Sequence, residues 1–304
     1  MALNITAVEA SNEGYLTVWP CSSDRPTASN LNFRAGQTIA NTVLTAPGDG
    51  GQICIYASSA THVLVDVEGW FTGEYRPQIP QRVLETRAGA GLINHTGARP
   101  RARSRVVVPV GTTRPVALNV TAVDPAGEGF LTVYACDDAM PTASNVNYTA
   151  RQTIPNSVVI TPSAQGTVCI YTYAEADLVV DLQGSFDFNF VGVTPRRVLE
   201  TRAGAGQIGF SGNRPSAGAV VQVATGAGGA SAVALNVTAV GPREAGYLTV
   251  WPCGTPRPDS SNLNYVRGQT IANLVVVHPG ADGLVCISTF EATDLVVDLF
   301  GTVK

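Results

Sequence analysis

A stretch of 68 residues occurs three times without a gap, as Ala2–Gly69, Ala117–Gly184 and Ala234–Gly301. Every copy runs Ala-Leu-Asn-[Ile/Val]-Thr-Ala-Val, Gly-[Tyr/Phe]-Leu-Thr-Val-[Trp/Tyr]-x-Cys and Ser-Asn-[Leu/Val]-Asn-[Phe/Tyr]. It then continues with Gln-Thr-Ile-x-Asn, Cys-Ile and Val-Asp-[Val/Leu]-x-Gly. A register held over that length describes one folded unit used three times. It also supplies an internal comparison, since a residue kept in all copies serves the unit and a residue in one copy is local. The copies start 115 and 117 residues apart. That is too long for a solenoid or propeller repeat of about 20–50 residues. Each unit can bury its own core, so the expectation is three modules in a row, at 1–73, 74–187 and 188–304.

The local pattern is strand nearly throughout. In the second copy, Val116–Val123 alternates, with Leu118, Val120 and Ala122 on one face and Asn119 and Thr121 on the other. Phe130–Cys136 is rich in β-branched and aromatic residues. Short strands follow at Ser144–Tyr148, Val168–Tyr171 and Leu178–Leu182. Pro155 restricts Thr153–Ile160 to a sheet edge or places the proline among a strand's first residues. A preamble, Arg-Val-Leu-Glu-Thr-Arg-Ala-Gly-Ala-Gly, stands at 82–91 and 197–206, ahead of copies two and three. No stretch carries a helical period with caps. Short strands between Gly/Pro turns predict an all-β fold of three tandem β-sandwich or jelly-roll-like modules.

Copy one has no preamble, so three cores share two. The expectation is that the matching segment precedes Met1. The other route is a strand added by a neighbouring chain. The linkers Thr72–Gln81 and Asp187–Pro195 hold Pro and aromatics but no long Ser/Gly tract, which predicts closely spaced units.

The six cysteines fall in pairs 33 residues apart: Cys21 and Cys54, Cys136 and Cys169, Cys253 and Cys286. This predicts one disulfide per module and an oxidising compartment. Each closed loop is worth roughly 3–4 kcal/mol in the chain-entropy model. There is no CxxC and no Cys/His quartet, so no metal is expected. No apolar run reaches the ~20 residues of a membrane helix, so no membrane insertion is expected. The charged fraction is 14% and the net charge −4, without the basic footprint of a nucleic-acid binder.

None of the three histidines occupies a shared position, which removes a repeated Ser-His-Asp or Cys-His site. There is no phosphate loop, dinucleotide fingerprint or HExxH, and no cofactor is expected. Asp66, Asp181 and Asp298 recur, but as one acid per core, whereas a glycosidase needs two carboxyls a few ångströms apart. Arginines of the preamble are expected to neutralise them as buried ion pairs, Arg87 with Asp181 and Arg202 with Asp298. Four asparagines recur in each copy although Asn is disfavoured in strands. Either they bond turn and edge backbone, or they form a polar, ligand-facing surface. Strand parity puts Tyr15 and Trp19 on one face, opposite Leu16 and Val18. The candidate ligand-binding set is therefore Tyr15, Trp19, Asn30 and Asn32, with Phe130, Tyr134, Asn145 and Asn147, and Tyr247, Trp251, Asn262 and Asn264. Aromatic faces beside amides suit sugar rings. Cys21 shares this parity, which argues that part of the face is covered.

The strings GYLTVWPC, RPTASNLNF, GQTIANTV and RVLETRAGAG resemble the repeat modules of actinobacterial secreted and cell-surface proteins, over essentially the whole chain. In that family such modules occur in tandem or beside secreted hydrolase domains. The resemblance implies an extracellular or cell-surface location and a tandem architecture more than an activity. The leading expectation is a non-enzymatic structural or adhesive repeat protein, as a self-associating surface fibre or assembly subunit. The second is a multivalent carbohydrate-binding protein whose partner is cell-wall glycan. The third is the non-catalytic accessory region of a larger secreted enzyme.

Overall fold

The computed structural model describes residues 1–71, 73, 75–187 and 189–304. The expected boundaries at 73/74 and 187/188 and the start of the first linker fall on Glu74, Phe188 and Thr72, which lie outside the described residues. The described residues form 22 strands and no helix. Repeat one supplies β1 (Ala2–Val8), β2 (Gly14–Pro20), β3 (Leu31–Phe33), β4 (Ile39–Leu44), β5 (Ile53–Ala57) and β6 (His62–Gly69). Repeat two runs β7 (Tyr75–Glu85), β8 (Ser104–Pro109), β9 (Val116–Val123), β10 (Gly129–Ala135), β11 (Val146–Tyr148), β12 (Ile154–Ile160), β13 (Thr167–Thr172) and β14 (Asp177–Phe186). Repeat three follows with β15 (Phe190–Glu200), β16 (Val220–Ala224), β17 (Ala232–Val240), β18 (Gly246–Pro252), β19 (Leu263–Tyr265), β20 (Thr270–Val277), β21 (Leu284–Thr289) and β22 (Asp294–Val303).

Each repeat builds two antiparallel sheets. In repeat two their orders are β12-β9-β14-β7 and β11-β10-β13-β8, and repeat three matches this with β20-β17-β22-β15 and β19-β18-β21-β16. Repeat one has only β4-β1-β6 and β3-β2-β5. Leu118 and Val120 from one sheet and Leu131, Val133 and Ile170 from the other are all fully buried. Pro155 lies in β12, an edge strand, where its missing N–H leaves no ladder bond unmade. The disulfides Cys21–Cys54, Cys136–Cys169 and Cys253–Cys286 are formed, and no cysteine is free. Each links the end of β2, β10 or β18 to its neighbour β5, β13 or β21. One cystine per repeat fits an oxidising, extracytoplasmic setting.

The arrangement differs from three sandwiches in a row. The six sheets make one propeller-like ring, because the second face of each central sheet is covered by the next repeat. The strands β4, β12 and β20 approach one another, and β3 meets β12, β11 meets β20 and β19 meets β4. The polar side of the alternating strands therefore faces another repeat, not water, and Asn4, Asn119 and Asn236 are all fully buried.

The recurring asparagines make the closure possible. Asn41 donates from Nδ2 to Asn119 Oδ1 of repeat two at 2.9 Å and accepts at Oδ1 from the Ser157 amide at 3.1 Å. Asn156 repeats this with Asn236 Oδ1 at 2.9 Å and the Leu274 amide at 3.0 Å in repeat three. Asn273 returns to repeat one through Asn4 Oδ1 at 2.9 Å and the Thr42 amide at 3.1 Å. Each Nδ2 also donates at 2.6 Å to the carbonyl of Asn30, Asn145 or Asn262 in its own repeat. A buried polar group without a partner costs about 1–3 kcal/mol, and an amide with two donors and an acceptor can satisfy several at once.

The seams differ at the position of Glu68. At the seam between repeats three and one, Glu68 accepts from Asn262 Nδ2 at 3.0 Å, and the Val276 amide lies 3.4 Å from its other oxygen. Burial pushes its carboxyl up to about 8, against the lowering effect of those hydrogen bonds. The equivalent residue in repeat three is Phe300, which offers no acceptor, and the Asn145 Nδ2 equivalent to that of Asn262 has no partner among the described residues.

Candidate functional site

Two cavities open at the seams, at equivalent positions. The first holds about 440 Å³ and is lined by Tyr15, Asn32 and Arg34 of repeat one with Arg87, Val123 and Thr153 of repeat two. The second holds about 470 Å³ and is lined by Phe130 and Asn147 of repeat two with Arg202, Glu200, Val240 and Thr270 of repeat three. Tyr15 matches Phe130, Asn32 matches Asn147, and Arg87 matches Arg202. The third seam offers Tyr247 and Asn264, but repeat one brings no preamble arginine to it.

The arginines are held by a relay of alternating charge. A register shift between Val180 and Asp181 sets Arg82, one strand over, directly opposite Asp181. Arg82 Nε meets Asp181 Oδ1 at 2.6 Å, and its Nη1 meets Glu85 Oε2 at 2.5 Å. Glu85 ends β7, so the chain turns there and Arg87 folds back to grip the same carboxylate at 2.8 and 2.7 Å. Repeat three copies this: Arg197 on Asp298 and Glu200 at 2.7 Å each, and Arg202 on Glu200 at 2.7 Å twice. The expected pairs Asp181–Arg87 and Asp298–Arg202 are thus replaced by Asp181–Arg82 and Asp298–Arg197. The reason is the shifted register, which a plain period-2 count does not contain.

The electrostatics follow from the relay. Burial raises Asp181 and Asp298, and their arginines only partly offset it. Burial pushes Glu85 and Glu200 upward too, but hydrogen bonds and charge from Arg87 or Arg202, and from Arg82 or Arg197, outweigh it and hold them below the ordinary range. All four acids are buried. Each cavity presents the outer guanidinium, with its side chain 41% exposed, and Arg197 and Glu200 also line the second one. Nε and Nη2 are committed to the glutamate, and Nη1 has no hydrogen bond within the described residues. That leaves a fixed donor beside an aromatic ring and an amide, able to bind hydroxyl or carboxylate oxygens while the ring covers an apolar face.

The sequence-predicted face is split. Thr17, Thr132 and Thr249 donate to Ala28, Ala143 and Ser260 carbonyls, so the loop after the disulfide-bearing strand lies across its middle. Beyond that loop Tyr134 and Trp251 are buried, and Trp19 is half-buried with its Nε1 on the Ser23 carbonyl. Asn30, Asn145 and Asn262 are also buried, accepting from the Val18, Val133 and Val250 amides. Only the other end stays open, where Tyr15, Phe130 and Tyr247 stand near Asn32, Asn147 and Asn264. Phe130 stacks on Tyr173 at 5.2 Å and Tyr247 on Phe290 at 4.8 Å between centroids. Sequence reasoning assigned Arg87 and Arg202 to the aspartates and so missed their place in the cavities. The signal was their position just past the last residue of a strand.

No family model matches the chain, and no curated protein matches it significantly. Among solved structures, it is similar to a triple-jelly-roll turret protein of an archaeal virus at 11% identity, covering 99% of this chain and 78% of that one, with a TM-score of 0.23. The extracellular domain of ANXUR1 from Arabidopsis thaliana matches at 7% identity over 77% and 91%, with a TM-score of 0.25. The CBM22-1-CBM22-2 tandem of Xyn10C from Paenibacillus barcinonensis matches at 14% over 74% and 98%, with a TM-score of 0.22. Scores of this size carry no argument about arrangement or activity. Among the described residues no helix is long and apolar enough to cross a membrane, and no group of acidic, His or Cys side chains could hold a metal.

Proposed function

We propose that this chain is a non-enzymatic extracellular binding module, an adhesive structural element that holds polysaccharide in its seam cavities. One observation carries the reading. The same set of an aromatic ring, an amide and an anchored guanidinium recurs at two seams, Tyr15/Asn32/Arg87 and Phe130/Asn147/Arg202. Glu85 and Glu200 are each gripped by two arginines and held below the ordinary carboxylate range, so they position the guanidinium rather than transfer protons. Two equivalent cavities on one rigid body allow a polymer to bind at both, and avidity then multiplies a weak single-site affinity.

The test is retention on purified cell-wall polysaccharide. The double substitution Tyr15→Ala/Phe130→Ala removes both ring faces and leaves the relays and the seam asparagines in place. Each ring accounts for up to roughly tenfold in affinity at its own cavity. Retention is expected to collapse while the melting temperature stays near that of the parent. Unchanged retention contradicts the reading.

A further inference from the structure

Repeat one presents two open sheet edges. In repeats two and three, β14 and β22 are paired with β7 and β15, and β13 and β21 with β8 and β16. Their counterparts β6 and β5 are the last strands of three-stranded sheets. Leu64, Val65 and Val67 on β6 are 53%, 42% and 54% exposed, whereas the equivalent Val179, Val180 and Leu182 are 5%, 0% and 7% exposed. Asp66 stands where Asp181 and Asp298 each grip an arginine, yet it has no cationic partner among the described residues.

A long apolar strand edge with unpaired backbone groups is a template for another strand. We infer that repeat one accepts a strand pair of this type from a polypeptide segment outside residues 1–304. Its first strand sets an arginine opposite Asp66 with a glutamate three residues on, and its second, a Val-x-Val strand, lies against β5. Two observations fix this occupant. The other repeats display it twice: Arg82 to Glu85 followed by Val106 and Val108, and Arg197 to Glu200 followed by Val221 and Val223. The chemistry is also complementary, an unpaired carboxylate beside exposed aliphatic residues. Residues 1–304 of a second copy do not supply it, because both of their segments of this type are already built into their own sheets. Pairing β6 with β6 of another copy brings no arginine to either Asp66.

The probe is a fluorescent peptide with the sequence of residues 190–224, titrated with the full chain and read by anisotropy. Saturable one-to-one binding is expected, with slowed amide exchange across residues 62–69 and 53–57. Asp66→Asn, at a half-buried site without an ion pair among the described residues, weakens binding roughly tenfold or more, as does Arg197→Ala in the peptide. Combining the two adds little, since both remove one interaction. Three outcomes overturn the inference: no saturable binding, protection elsewhere on the chain, or equal affinity for the Asp66→Asn protein. Self-association through β6 that the peptide does not displace also overturns it.

Discussion

Asn156→Ala probes the ring most sharply. In the native seam its side chain satisfies three buried groups in two repeats: the Asn145 carbonyl at 2.6 Å, Asn236 Oδ1 at 2.9 Å and the Leu274 amide at 3.0 Å. Truncation orphans all three. At about 1–3 kcal/mol each, with some relief from relaxation, the loss is about 3–5 kcal/mol. With an unfolding entropy of about 2 cal/mol/K per residue, a chain of 304 residues falls by roughly 5–8 °C in melting temperature. The control is Asn147→Ala, a half-buried asparagine whose side chain, among the described residues, is hydrogen-bonded only to Ser144 Oγ at 3.2 Å; it should cost less than about 1 kcal/mol. Differential scanning calorimetry reads both size and shape. A closed ring unfolds in one transition that shifts as a whole, whereas independent modules give a trace in which one part of the enthalpy moves. Equal melting of the two variants, or a shift confined to one part of the trace, refutes the reasoning.

Three further outcomes follow from the seams and the relay. Glu68, pushed up to about 8 from an ordinary 4.5 by burial, favours the folded state in its protonated form. Its contribution is fully present below about pH 4.5, falls as pH rises, and is gone above about pH 8, so Glu68→Gln should flatten the denaturant midpoint between pH 5 and 8.5; an unchanged slope contradicts the assignment. Arg82→Ala strands the buried Asp181 carboxylate and should cost about 3–5 kcal/mol in urea unfolding, whereas Arg87→Ala leaves Glu85 with Arg82 and should cost about 1 kcal/mol. Replacing Cys136 and Cys169 together by Ala should lower the unfolding free energy by about 3 kcal/mol without changing the gel-filtration volume.

Much of the local structure was legible in the sequence. The gapless repeat, the β-branched strands, the cystine pairing and the missing preamble of repeat one all rest on near-neighbour chemistry. The ring was not, because Asn119 and Thr121 on a strand read the same whether that face meets water or another repeat. Four fixed asparagines per copy were the available clue, and three of them prove to be buried. The ion pairs were misassigned for a different reason. Asp181 was correctly sought among the preamble arginines, but the register shift beside it selects Arg82 over Arg87. The aromatic face was half legible: Tyr15 and Phe130 reach the cavities, while the loop fastened by Thr17 and Thr132 covers the rest.

Small-angle X-ray scattering of the purified chain tests the closed ring most directly. A compact body of 304 residues has a radius of gyration of about 19 Å. Three separate modules of about 100 residues in a row, each near 13 Å and spaced by roughly their own diameter, give about 30 Å. The ring predicts the smaller value, with a compact distance distribution. A value near 30 Å with an elongated distribution contradicts it.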